Sequence, residues 1–171
     1  MDLLIVRHGV AEDKKQFAKT GKSDDVRPLT DKGRKEMKRA ARGLRIIVPE
    51  VGLLATSPLV RAQQTAEYIA DAFDVSIGEV VDVLKPDAPL EAFIEWLRPR
   101  ADKSPVCVVG HEPHLSSLAT WLMSGVKDSR LALAKGGACL LSFDGEPQRG
   151  GAELRWLLTA KQLDAVGSSH G

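Results

Sequence analysis

Leu3-Leu4-Ile5-Val6-Arg7-His8-Gly9 is the stretch that decides how this chain folds. Four apolar residues in a row show no polar face to water. The run therefore needs cover on both sides, as a strand inside a parallel sheet has. Gly9 ends it, lets the backbone turn sharply and lets a ligand come close. Arg7 and His8 then stand at the carboxyl end of a strand, where open α/β sheets hold their ligands. A guanidinium beside an imidazole makes a poor metal site but suits a phosphate. The arginine offers a planar fork of donors, and a neutral, aimed imidazole can attack phosphorus.

Further strand signals fall at residues 52–55, 79–83, 106–109, 138–143 and 153–159, with helical patterns at 31–47, 59–73, 89–100 and 113–123. Strands alternating with helices predict a three-layer α/β/α sandwich around a mostly parallel central sheet. The last two strands have no helix between them. Asp144-Gly145-Glu146-Pro147 and Arg149-Gly150-Gly151 read as a loop joining antiparallel neighbours at one edge. Thr30 reads as the N-cap of the first long helix, and Pro58 and Pro113 suit first turns. A single domain over residues 1–166 is expected, then a flexible tail over 167–171 in which His170 is a surface residue without a role.

With 171 residues, 43% of them hydrophobic and 27% charged, the chain can bury one ordinary globular core. A net charge of +1 gives no field that would hold nucleic acid or a membrane surface, so neither is expected as a partner. The basic stretch 32–45 carries an apolar stripe of Met37, Ala40, Ala41 and Leu44 and reads as the solvated face of a helix. No secretory signal or membrane-spanning segment is visible, so a cytoplasmic location is the default. Cys107 and Cys139 sit in apolar strand-like runs and read as buried thiols.

Three strand-to-helix junctions repeat one theme. They are Arg7-His8-Gly9, then Thr56-Ser57-Pro58 with Arg61, Gln64 and Thr65 following, then Gly110-His111-Glu112-Pro113. In a parallel sheet all three emerge on the same edge, so Arg7, His8, Arg61 and His111 can converge. Arg61 falls in the first turn of its helix, where free N–H groups and the dipole favour an anion. Each piece alone has a plainer explanation in capping or helix initiation; the conjunction is what points to a phosphoryl site. His114 reads as a helix-surface residue beside it. Ser57 lacks a Gly-x-Ser-x-Gly elbow, so its hydroxyl reads as a cap rather than a nucleophile.

Arg7-His8-Gly9 (an Arg-His-Gly, or RHG, motif), Ser57-Pro58-x-x-Arg61-Ala62-x-Gln64-Thr65 and Gly110-His111 together resemble the histidine phosphatase superfamily, whose fold is called phosphoglycerate-mutase-like. Arg27-Pro28-Leu29-Thr30, Gly33, Gly110-His111-Glu112-Pro113 and Lys135-Gly136-Gly137 narrow the resemblance to its SixA-type phosphohistidine phosphatases. The similarity runs from the first strand to the last. It implies that His8 is transiently phosphorylated, that Arg7, Arg61 and His111 bind the phosphoryl group, and that no metal or organic cofactor takes part. It also implies a pocket rim that can include Gly9, Asp25, Arg27, Ser57, Glu112 and Lys135.

One departure from the wider superfamily bears on the substrate. Its mutases and many of its phosphomonoesterases carry a glutamate general acid in a Leu-x-Glu stretch; the matching segment here reads Leu84-Lys85-Pro86. An alkoxide leaving group needs such an acid, worth typically ~10²–10⁴-fold, whereas an imidazole can take its proton from solvent. Asp87, Glu12 or Glu112 remain candidates to replace it. The chain also lacks a long insertion that could close as a lid. The expected partner is therefore a phosphohistidine-bearing protein, such as a histidine phosphotransfer domain. A small phosphoester is the alternative substrate within the same superfamily. A silent phosphate-recognising module is a third reading, which an intact nucleophile argues against.

Overall fold

The computed structural model describes residues 1–170. Leu3 to Val6 are buried on both faces, as the apolar run requires, in strand β1 (Asp2–Arg7). Leu3 and Ile5 join one core layer; Leu4 and Val6 join the other. Each such side chain contributes about 1.5–3 kcal/mol by leaving water. The remaining strands are β2 (Leu53–Thr56), β3 (Glu79–Val80), β4 (Val106–Gly110), β5 (Ala138–Phe143) and β6 (Ala152–Leu158). They form one sheet in the order β3-β2-β4-β1-β5-β6. The first four are parallel, and β5 runs antiparallel to both β1 and β6, which gives the expected antiparallel edge.

Helices α2 (Asp31–Ile47), α3 (Val60–Phe73) and α6 (Ala160–Ser169) cover one face; α4 (Leu90–Leu97) and α5 (His114–Ser124) cover the other. A short α1 (Lys14–Ala18) lies between β1 and α2. The architecture is the three-layer α/β/α sandwich that the alternation predicted. After β1 the chain turns to the α2 face, and after β4, its parallel neighbour, to the α5 face. The carboxyl ends of β1 and β4 therefore flank a topological switch point, the crevice where such sheets bind ligands.

Several elements differ from expectation. The third strand ends at Val80, because a 3₁₀ turn over Asp82–Leu84 tucks Leu84 into the core. The helix expected over 89–100 is α4 followed by a 3₁₀ segment, Arg98–Lys103. Helix α6 continues to Ser169, so residues 167–169 of the expected flexible tail are helical. Gly167 lies close enough to Gly43 for the last turn to pack on α2. His170 is exposed, and Gly171 lies outside the described residues. His114, expected on a helix surface, is 5% exposed. It shares the inner stripe of α5 with Leu118 and Trp121, at positions i, i+4 and i+7. The two free cysteines are buried on opposite sheet faces, and burial pushes both thiols up. Among the described residues no helix is long and apolar enough to cross a membrane.

Candidate active site

Parallel pairing of β1 with β4 sets Arg7 opposite Gly110, and the His8 N–H donates to the Gly110 carbonyl at 3.0 Å. The imidazoles of His8 and His111 are thereby brought to 5.2 Å between ring centroids. Both are buried, at 7% and 2% exposure. Gly9 follows where a side chain would not fit: a Cβ there would stand 2.6 Å from Met37 Cγ of α2. Its N–H donates to Thr65 Oγ1 at 3.0 Å, and the Thr65 hydroxyl donates to the Arg61 carbonyl at 2.8 Å. The first turn of α3 is so tied to the turn after β1. Gln64 of the same helix accepts from the Leu29 N–H at 2.8 Å, holding Arg27-Pro28-Leu29-Thr30 in place. Thr30 caps α2 through the Gly33 N–H at 2.9 Å, as expected.

His8 Nδ1 stands 2.7 Å from the Gly9 carbonyl oxygen. A carbonyl only accepts, so Nδ1 carries the proton and the neutral ring keeps its lone pair on Nε2. Burial is the main reason that its pKa falls to about 4; the Gly9 bond opposes the shift, and the charges of Arg61, Arg7 and Arg27 reinforce it. His111 is lowered to about 3, again mainly by burial and then by His8 and Arg61. Both rings are therefore neutral at pH 7, and one of them presents an unprotonated nitrogen.

Arg7 and Arg61 complete the floor of the cavity. Arg7 Nη1 donates to the Leu133 carbonyl at 3.0 Å. Arg61 is 5% exposed and donates from Nη1 to the Asp24 carbonyl at 2.9 Å and from Nη2 to Asp24 Oδ2 at 3.2 Å. Burial lowers the pKa of both guanidinium groups, which stay charged at neutral pH. Three buried nitrogens of this floor have no partner: Arg7 Nε, Arg61 Nε and His111 Nδ1. Buried polar groups without partners are rare and call for an explanation, of which a binding or catalytic role is one; His114, away from the cavity, has two more.

A cavity of about 470 Å³ opens over this floor. Of the expected rim residues it is lined by Arg27, Glu112 and Lys135, with Lys14 and Glu12 adding to its mouth. Gly9 and Ser57 lie behind the floor rather than on the rim. Gly9 takes the His8 proton donor, while Ser57 is fully buried and 2.7 Å from His111 Nε2. The capping reading of Ser57 also has a counterpart, since its Oγ accepts from the Leu59 N–H at 3.2 Å. Asp25 is exposed and lines a neighbouring hollow together with Asp87. Its neighbour Asp24, not singled out from sequence, bridges the arginines: Oδ2 to Arg61, and Oδ1 to Arg27 Nε at 2.8 Å. Burial alone would raise the Asp24 carboxyl, but the Arg27 hydrogen bond and the two guanidinium charges hold it below its ordinary value. The 3₁₀ turn over Asp24–Val26 puts residues 24 and 27 on one side, so the spacing Asp24-x-x-Arg27 was the available signal.

Pro86 lines the cavity where the superfamily pattern has its glutamate. Glu112 also lines it, but its two oxygens accept from the N–H and hydroxyl of Ser116 in α5. Such a floor can hold a tetrahedral anion by two guanidinium groups and an imidazole beside an unprotonated imidazole nitrogen.

Comparison with known proteins identifies the family and the fold. Residues 3–83 match the model of the histidine phosphatase superfamily, branch 1. Phosphohistidine phosphatase SixA of Escherichia coli K12 is 31% identical over 128 residues, 73% of this chain and 76% of that one. A solved structure of the protein histidine phosphatase SixA complexed with tungstate superposes with a TM-score of 0.80 at 25% identity, over 95% of this chain and 99% of the other. The fold recurs in the alpha-ribazole phosphatase of Shigella flexneri, at 18% identity and TM-score 0.72, over 94% and 97% of the two chains. This chain belongs to the histidine phosphatase superfamily and, within it, to the SixA-type phosphatases.

Proposed function

We propose that the protein is a phosphohistidine phosphatase that works through a phosphorylated His8 and needs no metal. The observation that carries the mechanism is the buried His8, whose Nδ1 is committed to Gly9 and whose Nε2 is left unprotonated beside three unpartnered nitrogens of Arg7, Arg61 and His111. His8 Nε2 attacks the phosphorus of the substrate. The P–N bond to the substrate imidazole breaks, and that imidazole takes a proton from solvent. Water then attacks the phosphorus of phospho-His8, releases inorganic phosphate and restores the imidazole. Arg7, Arg61 and His111 meet the charge on the transferring oxygens in both steps; removing one such donor costs about 10²–10³-fold in kcat.

Substrate choice follows from the proton that is missing. Pro86 has none to give, both oxygens of Glu112 are engaged by Ser116, and Asp87 lines the neighbouring hollow, which leaves Glu12 at the cavity mouth as the one earlier candidate in reach. A leaving group that departs unaided therefore suits this site, and the similarity to SixA points the same way. Among the described residues no three His, Cys, Asp or Glu side chains gather as a metal-binding group. The guanidinium pair supplies the charge that a metal would otherwise bring.

The test is a comparison of kcat/KM for a phosphohistidine protein, an aryl phosphate and an alkyl phosphate at neutral pH, with and without EDTA. The phosphohistidine protein should lead, the alkyl ester should trail, and chelation should change nothing. An alkyl ester in the lead would make the protein a small-molecule phosphomonoesterase with a proton donor elsewhere. Strict dependence on added metal would overturn the mechanism.

A further inference from the structure

Ser57 stands directly behind His111, and the proton on its hydroxyl can be accounted for. Its backbone is fixed at the end of β2, where its N–H donates to the Val109 carbonyl of β4 at 3.0 Å. Its Oγ accepts from the Leu59 N–H at 3.2 Å and lies 2.7 Å from His111 Nε2. A hydroxyl has one proton to give and two lone pairs to offer. Suppose that His111 were protonated on Nε2. Ser57 Oγ would then accept twice, its own proton would have no acceptor among the described residues, and His111 Nδ1 would be a bare lone pair, also without a partner. With the serine as donor to Nε2, its one proton has an acceptor while a lone pair still accepts from the Leu59 N–H. The ring proton then sits on Nδ1 as a single unpartnered N–H. A fully buried side chain favours the arrangement with fewer orphans.

We infer that Ser57 is a positioning residue whose hydroxyl donates to Nε2 of His111 and so fixes the tautomer that presents Nδ1–H to a phosphoryl oxygen. The two histidines of the site are thereby set in opposite senses by neighbouring oxygens. The Gly9 carbonyl leaves His8 a lone pair on Nε2; the Ser57 hydroxyl leaves His111 a proton on Nδ1. One side-chain type thus serves as nucleophile toward the phosphorus and as hydrogen-bond donor to one of its oxygens. The phosphoryl half of the inference rests on the proposed function, whereas the tautomer half does not.

Long-range ¹⁵N–¹H correlation of the histidine rings in the ligand-free protein reads the tautomer directly. His111 should show protonated Nδ1 and unprotonated Nε2. In Ser57→Ala, the signals should shift toward a mixture or toward the Nε2–H form. Because the lost interaction belongs to the transition state, kcat and kcat/KM should fall together, by about tenfold or more. Ser57→Thr, which keeps the hydroxyl, should restore the tautomer and much of the rate. A wild-type His111 protonated on Nε2 would overturn the inference even if no variant folds. So would Ser57→Ala with unchanged tautomer and full kcat. The expected tautomer in a protein that cleaves no phosphoryl compound would support the Ser57–His111 assignment and overturn the functional reading instead.

Discussion

Acidifying the solution from pH 7 to pH 5 should leave the proposed nucleophile almost untouched. With a pKa of about 4, roughly 0.9 of His8 is neutral at pH 5; at the ordinary 6.5 only about 0.03 would be, a factor of about 30. The shift has a structural origin in burial under the phosphoryl-binding floor, reinforced by the three nearby guanidinium groups. The assay is kcat/KM for an aryl phosphate across this range, divided by the fraction of substrate dianion, with an NMR titration of the His8 ring alongside. The corrected rate should stay flat down to about pH 5 and fall only below it. Stability should behave differently. An imidazole with a lower pKa in the fold than in the unfolded chain binds fewer protons when folded. Its contribution is complete above about pH 6.5 and is lost as pH falls toward 4, at up to about 1.4 kcal/mol per pH unit for each such group. His111 shifts in the same direction and, as a neighbour, titrates jointly with His8. An acid limb near 6.5 in the free enzyme, with a ring titration to match, would refute the argument from burial.

Two other predictions concern bracing and packing. Asp24→Ala removes the carboxylate shared by Arg61 and Arg27, so kcat/KM should fall by about tenfold, whereas Asp25→Ala at the exposed neighbour should have no effect. Faster turnover in steady-state kinetics of Asp24→Ala would mean that the carboxylate competes with phosphate for Arg61 rather than holding it. Gly43→Ala would place a Cβ 1.7 Å from the Leu163 carbonyl oxygen and force α6 off α2, at a cost of about 1–3 kcal/mol. Thermal melts should show Tm lower by about 3–10 °C, with kcat of the folded fraction unchanged.

The parts of the site that sit on buried strands were legible in the sequence. The short, β-branched-rich apolar runs Leu3 to Val6 and Val106 to Val109, each ended by a glycine nearby, read as doubly covered strands, and their register brings His8 and His111 together. Arg61 follows from its place in the first turn of α3. Placement was harder where short-range geometry, not burial, decides. The choice between Asp24 and Asp25 depends on one 3₁₀ turn whose three-residue period no apolar pattern announces. His114 carries a polar ring and so suggests a surface position, whereas its spacing to Leu118 and Trp121 is that of an inner face, which is where it lies. Helix α6 is hard to read from sequence, despite a capping box between Thr159 and Gln162, because Leu163 is its one buried residue and its close approach to α2 depends on Gly43. The relation of Ser57 to His111 joins residues 54 positions apart and becomes visible only once β2 and β4 are paired.

Phosphorylation of His8 is the step on which the proposed mechanism rests. The wild-type protein, mixed with excess phosphohistidine substrate and quenched within milliseconds at alkaline pH, should yield an acid-labile phosphate on the peptide that contains His8. The His8→Ala protein should yield neither the label nor turnover. Full turnover in His8→Ala, or a phosphate trapped on another side chain such as Ser57, would contradict the mechanism.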